Sequence, residues 1–404
     1  MASPIKSTDW RMWLRATYVR LWAAWLVCCL CVCPVGVFGA EREAIDWSRV
    51  AKLKPDQKVL IFIESHHPLT LQELAALADA GLAPADRDPG LVVGMSKAVF
   101  ATKVNRWVKG TSFPPGLRGR LLERFFMSGI YRVSLQVEQE GYKGPLSMEV
   151  TLPREGFGRR LLKLERVLRP ATRNEIHVDS AQNRWLKIAY DEISYGQTVR
   201  ISVGFRYLVD MAELLRHDLM LVDPVRGASF PDAVLRFLDP GRKIDPRLPK
   251  AVEWAAQPDP EPPDARREYL RLQAFLKRTV SYDKRKREKY FGGRAVYSDM
   301  DEMYQEIPVT LNTGMGACPD TSLLECAFLR ARGIPCRTAG RFGHFYTQVY
   351  VPERGWVSTS VTPTGIPLIV DPGPDHVPYQ KWQPRIPLRT SLWEARVRIE
   401  PTEE

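Results

Sequence analysis

Alternation of apolar and polar residues between positions 130 and 210 is the feature that most constrains the fold of this chain. Tyr131, Val133 and Leu135 alternate with polar or charged neighbours, and the segments LSMEVTL and VRISVGFRYLV continue the pattern. Because successive side chains of a strand point to opposite faces of a sheet, a period of two predicts strands with one buried face. Half-buried antiparallel strands of this kind predict a β-sandwich domain over residues 128–235.

A mixed α/β pattern precedes the predicted sandwich. KVLIFIE at 58–64 and GLVVGMS at 90–96 are compact apolar runs that predict strands, and a helical pattern follows each of them. Thr70 and Glu73 form a capping box at the start of the first of these helices. The sequence therefore predicts a small α/β region over residues 41–127.

The first 40 residues have the composition of a signal peptide or a membrane anchor. Residues 1–20 contain four bases and one acid, and the run LWAAWLVCCLCVCPVGVFGA at 21–40 carries no charge. Since the basic flank precedes the apolar run, we expect the rest of the chain to be extracytoplasmic. The protein would be periplasmic or secreted after cleavage, or anchored to the inner membrane by residues 21–40.

The charge of the chain bears on its partners. A net charge of +11 is compatible with attraction to an anionic envelope surface, although scattered solvated lysines and arginines explain it equally. The basic run DKRKREKY at 283–290 mixes signs and lacks interleaved aromatic residues, so we predict no nucleic-acid partner. His66 and His67 have no third ligand at a suitable spacing, and the sequence predicts neither a metal nor another cofactor. It leaves the oligomeric state open.

Outside the N-terminal segment the chain has three cysteines, which lie within nineteen residues of each other. They are Cys318, Cys326 and Cys336. An odd number does not make a disulfide framework, and in an exported protein it leaves at least one thiol free. Cys326 lies beside the apolar stripe of a predicted helix and Cys336 follows a proline, so both are predicted to be small core residues.

Cys318 stands at the predicted start of a helix, in the segment GMGACPD. Proline is favoured at the first helical position, so Pro319 makes Cys318 the predicted N-cap, and Gly314 and Gly316 would leave its approach open to a substrate. The amides of a helix start favour a thiolate, lower the thiol pKa below about 8.5 and can bind an oxyanion. This local pattern fits a nucleophile and a buried filler equally.

His344 is the best-placed candidate base for such a thiol. It opens the segment HFYTQVYV, which a PERG turn connects to WVSTSVT, and this pattern predicts a β-hairpin. A hairpin would hold the imidazole rigidly. Taken alone, His344 is better explained as a strand-end residue without a catalytic partner.

Together the two segments resemble the transglutaminase-like superfamily of thiol enzymes over about fifty residues. The matching motifs are GAC at 316–318, FLRARGIPCR at 328–337, HFYTQVY at 344–350 and GWVSTSVT at 355–362. The resemblance implies an α+β protein whose C-terminal domain, residues 236–404, has the transglutaminase-like core of papain-like cysteine enzymes. It also implies that Cys318 is the nucleophile and His344 its general base.

The sequence departs from the family pattern at three positions on the catalytic strands. The family's third catalytic residue, an aspartate that orients the histidine, falls on Ser360. A family tryptophan becomes Tyr346 and a family glutamate becomes Gln348. A serine can accept a hydrogen bond from imidazole but carries no charge to stabilise an imidazolium. Asp371 is a candidate substitute, although an aspartate in its context is also typical of a turn.

The resemblance therefore implies an exported transglutaminase-like thiol enzyme that acts on the amide bonds of a protein or peptide substrate, as a peptidase or an acyl transferase. Hydrolysis is favoured over cross-linking. The alternative hypothesis is a peptide-binding or assembly module that keeps the fold and has lost turnover. The retained Cys318 and His344 favour the enzyme, whereas Ser360, Tyr346 and Gln348 favour the module.

Overall fold

Antiparallel strands make up most of the described structure. In the computed structural model the described residues are 58–64, 91–96, 118–222, 229–257, 264–291, 295–297, 300–374 and 377–402. The strands are, in chain order, β1 (Lys58–Glu64), β2 (Leu91–Ser96), β3 (Arg118–Leu121), β4 (Arg124–Val137), β5 (Lys143–Leu152), β6 (Arg159–Arg169), β7 (Arg173–Val178), β8 (Arg184–Ser194), β9 (Thr198–Asp210), β10 (Ser281–Tyr282), β11 (Ala295–Tyr297), β12 (Met315–Gly316), β13 (Cys336–Arg341), β14 (His344–Val351), β15 (Gly355–Ser358), β16 (Pro367–Val370), β17 (Gln380–Gln383) and β18 (Leu388–Pro401).

Helices are concentrated between the long strands of the first half and the C-terminal sheet. They are α1 (Met211–Arg216), α2 (Asp232–Leu235), α3 (Pro249–Ala255), α4 (Ala265–Thr279), α5 (Lys284–Phe291), α6 (Ile307–Thr313) and α7 (Cys318–Ala331). Short 3-10 helices span Leu219–Leu221, Arg236–Leu238 and Met300–Met303. Among the residues that the structure describes, no helix is long and apolar enough to cross a membrane.

The first three strands form an antiparallel sheet in the order β2-β1-β3. The two strands predicted for the N-terminal α/β region are thus present, at Lys58–Glu64 and Leu91–Ser96. The helices predicted to follow them, the pair His66 and His67, and the uncharged run at 21–40 fall in parts of the chain that the structure does not describe.

Two antiparallel sheets confirm the predicted sandwich. Their strand orders are β11-β18-β4-β9-β6 and β17-β5-β8-β7. Apolar residues at alternate positions of β4 and β5 fill the space between them, where Val133 and Leu146 are each 1% exposed. Across the two layers the Tyr131 hydroxyl donates to the carbonyl of Thr151 at 3.2 Å. The period-two pattern therefore marks the buried face of each sheet.

The end of the chain completes the sandwich. β18 pairs antiparallel with β4 from Leu388 opposite Val137 to Pro401 opposite Phe125, and β17 pairs with β5. The sequence division at 235/236 assigned these last strands to the transglutaminase-like domain, but their hydrogen bonds connect them to strands that precede residue 235. Such pairing joins segments more than 200 residues apart, which a local pattern does not reveal.

The C-terminal core consists of helix α7 packed on the sheet β15-β14-β13-β16. Phe328 of α7 lies against Trp254 of α3 and Phe275 of α4, at ring-centroid distances of 5.6 and 5.5 Å. On the other side of the helix the Thr347 hydroxyl of β14 donates to Glu325 at 2.5 Å. A helix that is enclosed on nearly all sides has a fixed position, so its first residue is fixed with it.

Candidate active site

The start of helix α7 is held by a buried carboxylate. Asp320 is 0% exposed and accepts hydrogen bonds from the backbone N–H groups of Ala317 (2.8 Å) and Gln305 (2.7 Å). Lys286 forms an ion pair with the same carboxylate at 2.6 Å. These contacts make Ala317 the N-cap and Cys318 the first residue of the helix. The expectation that Cys318 is the N-cap is therefore wrong by one position, because Pro319 occupies the second helical position.

Backbone conformation and close packing explain the two glycines before Cys318 better than an open approach to the thiol does. Gly314 ends helix α6 with a left-handed φ of 63°, which favours glycine. A Cβ on Gly316 would lie 3.1 Å from Thr310 and 3.2 Å from Asp320. Both positions therefore require glycine for a turn and for close packing at the helix start.

The Cys318 sulfur faces strand β14 and a tyrosine. Burial raises the pKa of this thiol, and the charge of Asp320 raises it further, whereas hydrogen bonds from the Phe345 backbone N–H, the Cys318 N–H and the Tyr282 hydroxyl lower it. Burial has the largest effect, so the net pKa lies above its ordinary value of 9.0. The low pKa expected from the helix start is thus wrong, because the side chain is only 9% exposed.

His344 opens strand β14, as predicted, next to the peptide group that contacts the thiol. Burial, together with the positive charge of Arg341, lowers the pKa of His344 to about 4. Arg341 is its cross-strand partner in β13. The imidazole ring stacks with that of Tyr346 at a centroid distance of 6.1 Å. At neutral pH the imidazole is therefore uncharged and able to accept a proton.

Ser360 lies two residues beyond the end of β15, on the side of the hairpin that carries Tyr346. The ladder between β14 and β15 ends with Gln348 opposite Ser358, and Ser360 and Tyr346 line the same small cavity. Within the described ranges, no hydrogen bond joins Ser360 or Cys318 to His344. The catalytic roles of these three residues remain predictions.

Gln348, at the family's glutamate position, forms hydrogen bonds with neighbouring strands of the sheet. It is 0% exposed, accepts a hydrogen bond from Nε of Arg337 at 2.9 Å and donates to the hydroxyl of Ser358 at 3.1 Å. The Arg337 guanidinium lies over the ring of Trp356 at 4.1 Å. This neutral amide therefore ties three strands together across the sheet.

Asp371, the proposed substitute for the family aspartate, follows strand β16. Its carboxylate accepts from the backbone N–H of Gly373 at 3.1 Å, which is the turn that its sequence context also predicted. Burial and the charge of Arg154 lower the pKa of Arg337 to about 9, and the negative charge of Asp371 partly offsets this effect. Arg341, not Asp371, is the charged group that acts on the pKa of His344.

Tyr282 and Arg341 are the neighbours of the site that sequence reasoning missed. Tyr282 reaches Cys318 because β10 pairs in parallel with β12, which places Tyr282 beside Gly316. Two-residue strands leave no periodic signal in a sequence. Arg341 precedes the predicted hairpin by three residues, so its position at the site could be expected only from the pairing of β13 with β14. In the part of the chain that is described, no group of three or more metal-ligating side chains is placed to hold an ion.

Comparison with known families agrees with this architecture. Residues 260–361 match the family model described as the transglutaminase-like superfamily. The predicted α+β class is confirmed: the C-terminal part of the chain has a transglutaminase-like core, and a β-rich region precedes it. The matched segment contains Cys318, His344 and Ser360.

Among solved structures, the chain resembles a candidate cysteine protease from Cytophaga hutchinsonii. The TM-score is 0.50 and the identity 14%, and the match covers 70% of this chain and 92% of that one. A second similarity, to a candidate protease from Parabacteroides distasonis, has a TM-score of 0.27 and 10% identity over 79% of this chain and 61% of that one, and supports no conclusion. No curated protein matches the chain.

Proposed function

We propose that this protein is an exported thiol enzyme that acts on amide bonds, with Cys318 as nucleophile and His344 as general base. One observation carries the proposal. The backbone N–H of Phe345, the residue that directly follows His344, lowers the pKa of the Cys318 thiol against the larger effect of burial, so the thiol at the first residue of a buried helix lies beside the head of strand β14. A transglutaminase-like fold with cysteine-protease-like neighbours supports membership of a thiol-enzyme class.

The reaction starts from a neutral thiol and a neutral imidazole. As the Cys318 sulfur attacks a substrate carbonyl carbon, its proton passes to His344, and backbone N–H groups at the start of α7 stabilise the oxyanion. Collapse of this intermediate expels the amine, which receives the proton from His344, and leaves a thioester. Water or an amine then attacks the thioester. Hydrolysis is the favoured outcome, and a peptide the favoured substrate.

The location and surroundings of the protein are part of the proposal. Residues 21–40 would direct the chain out of the cytoplasm, and the net charge of +11 would draw it towards an anionic envelope surface. A reporter enzyme that works only outside the cytoplasm should be active when it is fused to the C-terminus. Activity of a cytoplasm-dependent reporter would contradict export.

A second candidate function is peptide binding without turnover. Arg341 lies across from His344, and position 360 carries a neutral hydroxyl where the family has a carboxylate. Both features disfavour the imidazolium that forms in the enzyme mechanism. These observations support a module that binds a peptide at the same surface but does not cleave it.

The two functions differ in their response to removal of the thiol. The mature protein and its Cys318→Ser variant should be incubated with a library of fluorogenic peptide amides, with Cys326→Ala as the control. An enzyme loses at least about a hundredfold in rate with Cys318→Ser and little with the control, and mass spectrometry detects a thioester in the parent protein only. Equal peptide binding by both proteins, with no thioester in either, would favour the module.

A further inference from the structure

A small cavity between the sandwich and the β14–β15 hairpin is lined by two arginines. It measures about 10 Å³, which is roughly the space that one water-sized particle needs. Arg159 contributes from strand β6, Arg341 from β13, and Tyr346, Ser360 and Thr362 from the hairpin and the segment after it. The cavity therefore adjoins position 360, on the side of the sheet that carries Tyr346.

Both arginines have a buried nitrogen without an acceptor. Arg159 is 9% exposed and donates to the carbonyls of Thr362 (2.5 Å) and Phe157 (3.3 Å), but its Nε has no hydrogen-bond partner. Nε of Arg341 is also buried without a partner. An unpaired buried donor destabilises the folded state, and most such groups in proteins bind water or a ligand.

The charges around the cavity are of one sign. Apart from burial, the groups that act on Arg159 are the hydroxyls of Tyr346 and Tyr207 and the positive charge of Arg341, and none of them is a carboxylate. Burial lowers the pKa of Arg159 to about 10, so it stays protonated at neutral pH. Within the described part of the chain, neither Arg159 nor Arg341 forms an ion pair with a carboxylate. Two cations in a water-poor site favour a bound anion.

We propose that a single halide-sized anion, chloride under physiological conditions, binds in this cavity between Arg159, Arg341 and the hydroxyl of Ser360. The small volume favours a monatomic anion over phosphate or the carboxylate of a peptide. Anion binding at this place is independent of the proposed function.

A role for the anion in the reaction rests on the proposed function. Tyr346 lines the cavity and stacks on His344, so the anion would lie on the same side of the hairpin as the imidazole. A negative charge there offsets Arg341 and stabilises an imidazolium, as the family aspartate would from position 360. An anion from solution would thus supply the negative charge that Ser360 does not provide.

Crystals grown in bromide provide the direct test of binding. Anomalous scattering should show one bromide in hydrogen-bond contact with the guanidinium groups of Arg159 and Arg341. In solution, the unfolding temperature should rise with chloride and saturate, but should not respond to gluconate at equal ionic strength. An empty or water-filled cavity in bromide, or equal responses to the two salts, would overturn the proposal.

Three variants sharpen this test. Ser360→Asp supplies a carboxylate to the cavity and should abolish the chloride response, and Arg341→Gln should weaken it. Arg398→Gln is the matched control, because the Arg398 side chain lies on strand β18 and is 81% exposed, and it should respond to chloride as the parent protein does. A chloride response that persists unchanged in Ser360→Asp and Arg341→Gln would assign the ion to another place and contradict the proposal.

The pKa of His344 tests the role in the reaction separately. An opposite charge nearby shifts a pKa by one unit or more. Saturating chloride should therefore raise the pKa of the His344 imidazole by about one unit in the parent protein, measured by NMR titration of the imidazole ring protons. Bromide in the cavity without such a change would confirm the site and reject its catalytic role. Bromide binding and the raised pKa without any peptide turnover would instead reject the proposed function alone.

An independent observation concerns the other two cysteines. The sulfur atoms of Cys326 in α7 and Cys336 in β13 are 2.9 Å apart, and both residues are 0% exposed. Both are free thiols in the structure. We infer that they form a disulfide when the chain folds in an oxidising compartment. Each thiol loses its hydrogen, a sulfur–sulfur bond forms, and two electrons and two protons reduce the disulfide of a thiol–disulfide oxidoreductase to a dithiol.

Refolding in oxidised glutathione tests this pairing. Peptide mapping without reductant should show the peptide with Cys326 linked to the peptide with Cys336, and Cys318 should remain open to alkylation after unfolding. The Cys326→Ser variant should leave both remaining thiols alkylatable. A disulfide to Cys318, or three alkylatable thiols in the refolded parent protein, would overturn the inference.

Discussion

His344 illustrates how one neighbouring side chain changes the chemistry of a retained residue. The histidine and the cysteine of the family motif are both present, but the cation Arg341 lies opposite His344, and the Cys318 thiol is buried. Both effects favour the uncharged forms of the two groups. A thiolate–imidazolium pair in the resting protein is therefore unfavourable, and the proposed function requires proton transfer to accompany attack on the substrate.

The pH dependence of alkylation follows from the raised pKa of Cys318. Only the thiolate reacts, so the rate should still be increasing above pH 9 instead of reaching a plateau near neutrality. Cys318 should nevertheless react before Cys326 and Cys336, because it is 9% exposed and they are 0% exposed. The measurement is peptide mapping after brief iodoacetamide treatment at a series of pH values. A plateau below pH 7 would contradict this prediction.

Acid stability should depend on His344. Its pKa is about 4 in the folded protein, below the value of about 6.5 in an unfolded chain. The folded state therefore disfavours the protonated form, and stability present above pH 6.5 is lost as the pH falls towards 4. His344→Gln should reduce this loss. Unfolding temperatures of the two proteins between pH 7 and pH 4 provide the measurement, and parallel curves would contradict the prediction.

At the residue scale the sequence predicted a candidate nucleophile and a candidate base but not their electrostatics. Cys318 and His344 follow from local motifs, since a glycine-rich helix start and a histidine at the head of a hairpin both leave a pattern. Asp320 modifies the thiol from the same helix turn, and Tyr282 does so through a tertiary contact. The degree of burial that raises the pKa of Cys318 depends on the whole fold, and no local pattern contains it.

The contact between helix α7 and strand β14 includes a buried carboxyl group. Glu325 is 8% exposed and accepts from the hydroxyl of Thr347 at 2.5 Å and from the amide of Gln273 at 2.7 Å. Burial raises its pKa to about 7, against an ordinary value of 4.5. The carboxyl group is therefore largely protonated below pH 7, where it can serve as a donor as well as an acceptor between the two elements.

Glu325→Gln should stabilise the protein at pH 8. A raised folded-state pKa contributes stability that is fully present below about pH 4.5 and is lost as the pH rises through 7, because the buried group must then ionise. The neutral amide avoids this loss, whose upper limit is about 3 kcal/mol for a shift of this size. Urea unfolding at pH 5 and pH 8 checks the prediction, with Glu253→Gln, an exposed carboxylate on α3, as control. An equal change at both pH values would contradict it.

Elements with a local signal were predicted and those formed by distant pairing were not. The hairpin of β14 and β15 was expected from its turn, where Glu353 and Gly355 have positive φ values of 66° and 76°. Helix α7 was expected from its apolar spacing, with an error of one residue at its start. The pairing of β17 and β18 with the sandwich was not expected, because an apolar strand pattern identifies a strand but not its partner.

At the scale of the whole molecule, hydrogen bonds join the sandwich to the transglutaminase-like core. Asn183, 0% exposed in the sandwich, exchanges two hydrogen bonds with the backbone of Val370 in β16, at 2.6 and 2.8 Å. The backbone N–H of Arg154 donates to Pro367 at 3.1 Å, and that of Ser358 to His217 at 2.7 Å. Bonds to backbone groups of two strands of the core, β16 and β15, make independent unfolding of either part unfavourable, since it would leave buried polar groups unpaired.

Loss of packing in the last strand should therefore destabilise the distant core. Leu388 is 0% exposed where β18 pairs with β4, and Leu388→Ala should cost about 2–5 kcal/mol. Arg398→Ala, on the same strand but 81% exposed, should change stability by less than about 0.5 kcal/mol. In reducing urea solutions, alkylation of a cysteine introduced at Val133, which is 1% exposed, follows the sandwich, and alkylation of buried Cys326 follows the core. If the chain unfolds as a single cooperative unit, Leu388→Ala lowers the urea midpoints of both unfolding signals together. A midpoint of Cys326 alkylation that stays at its value in the parent protein would show that the core unfolds separately.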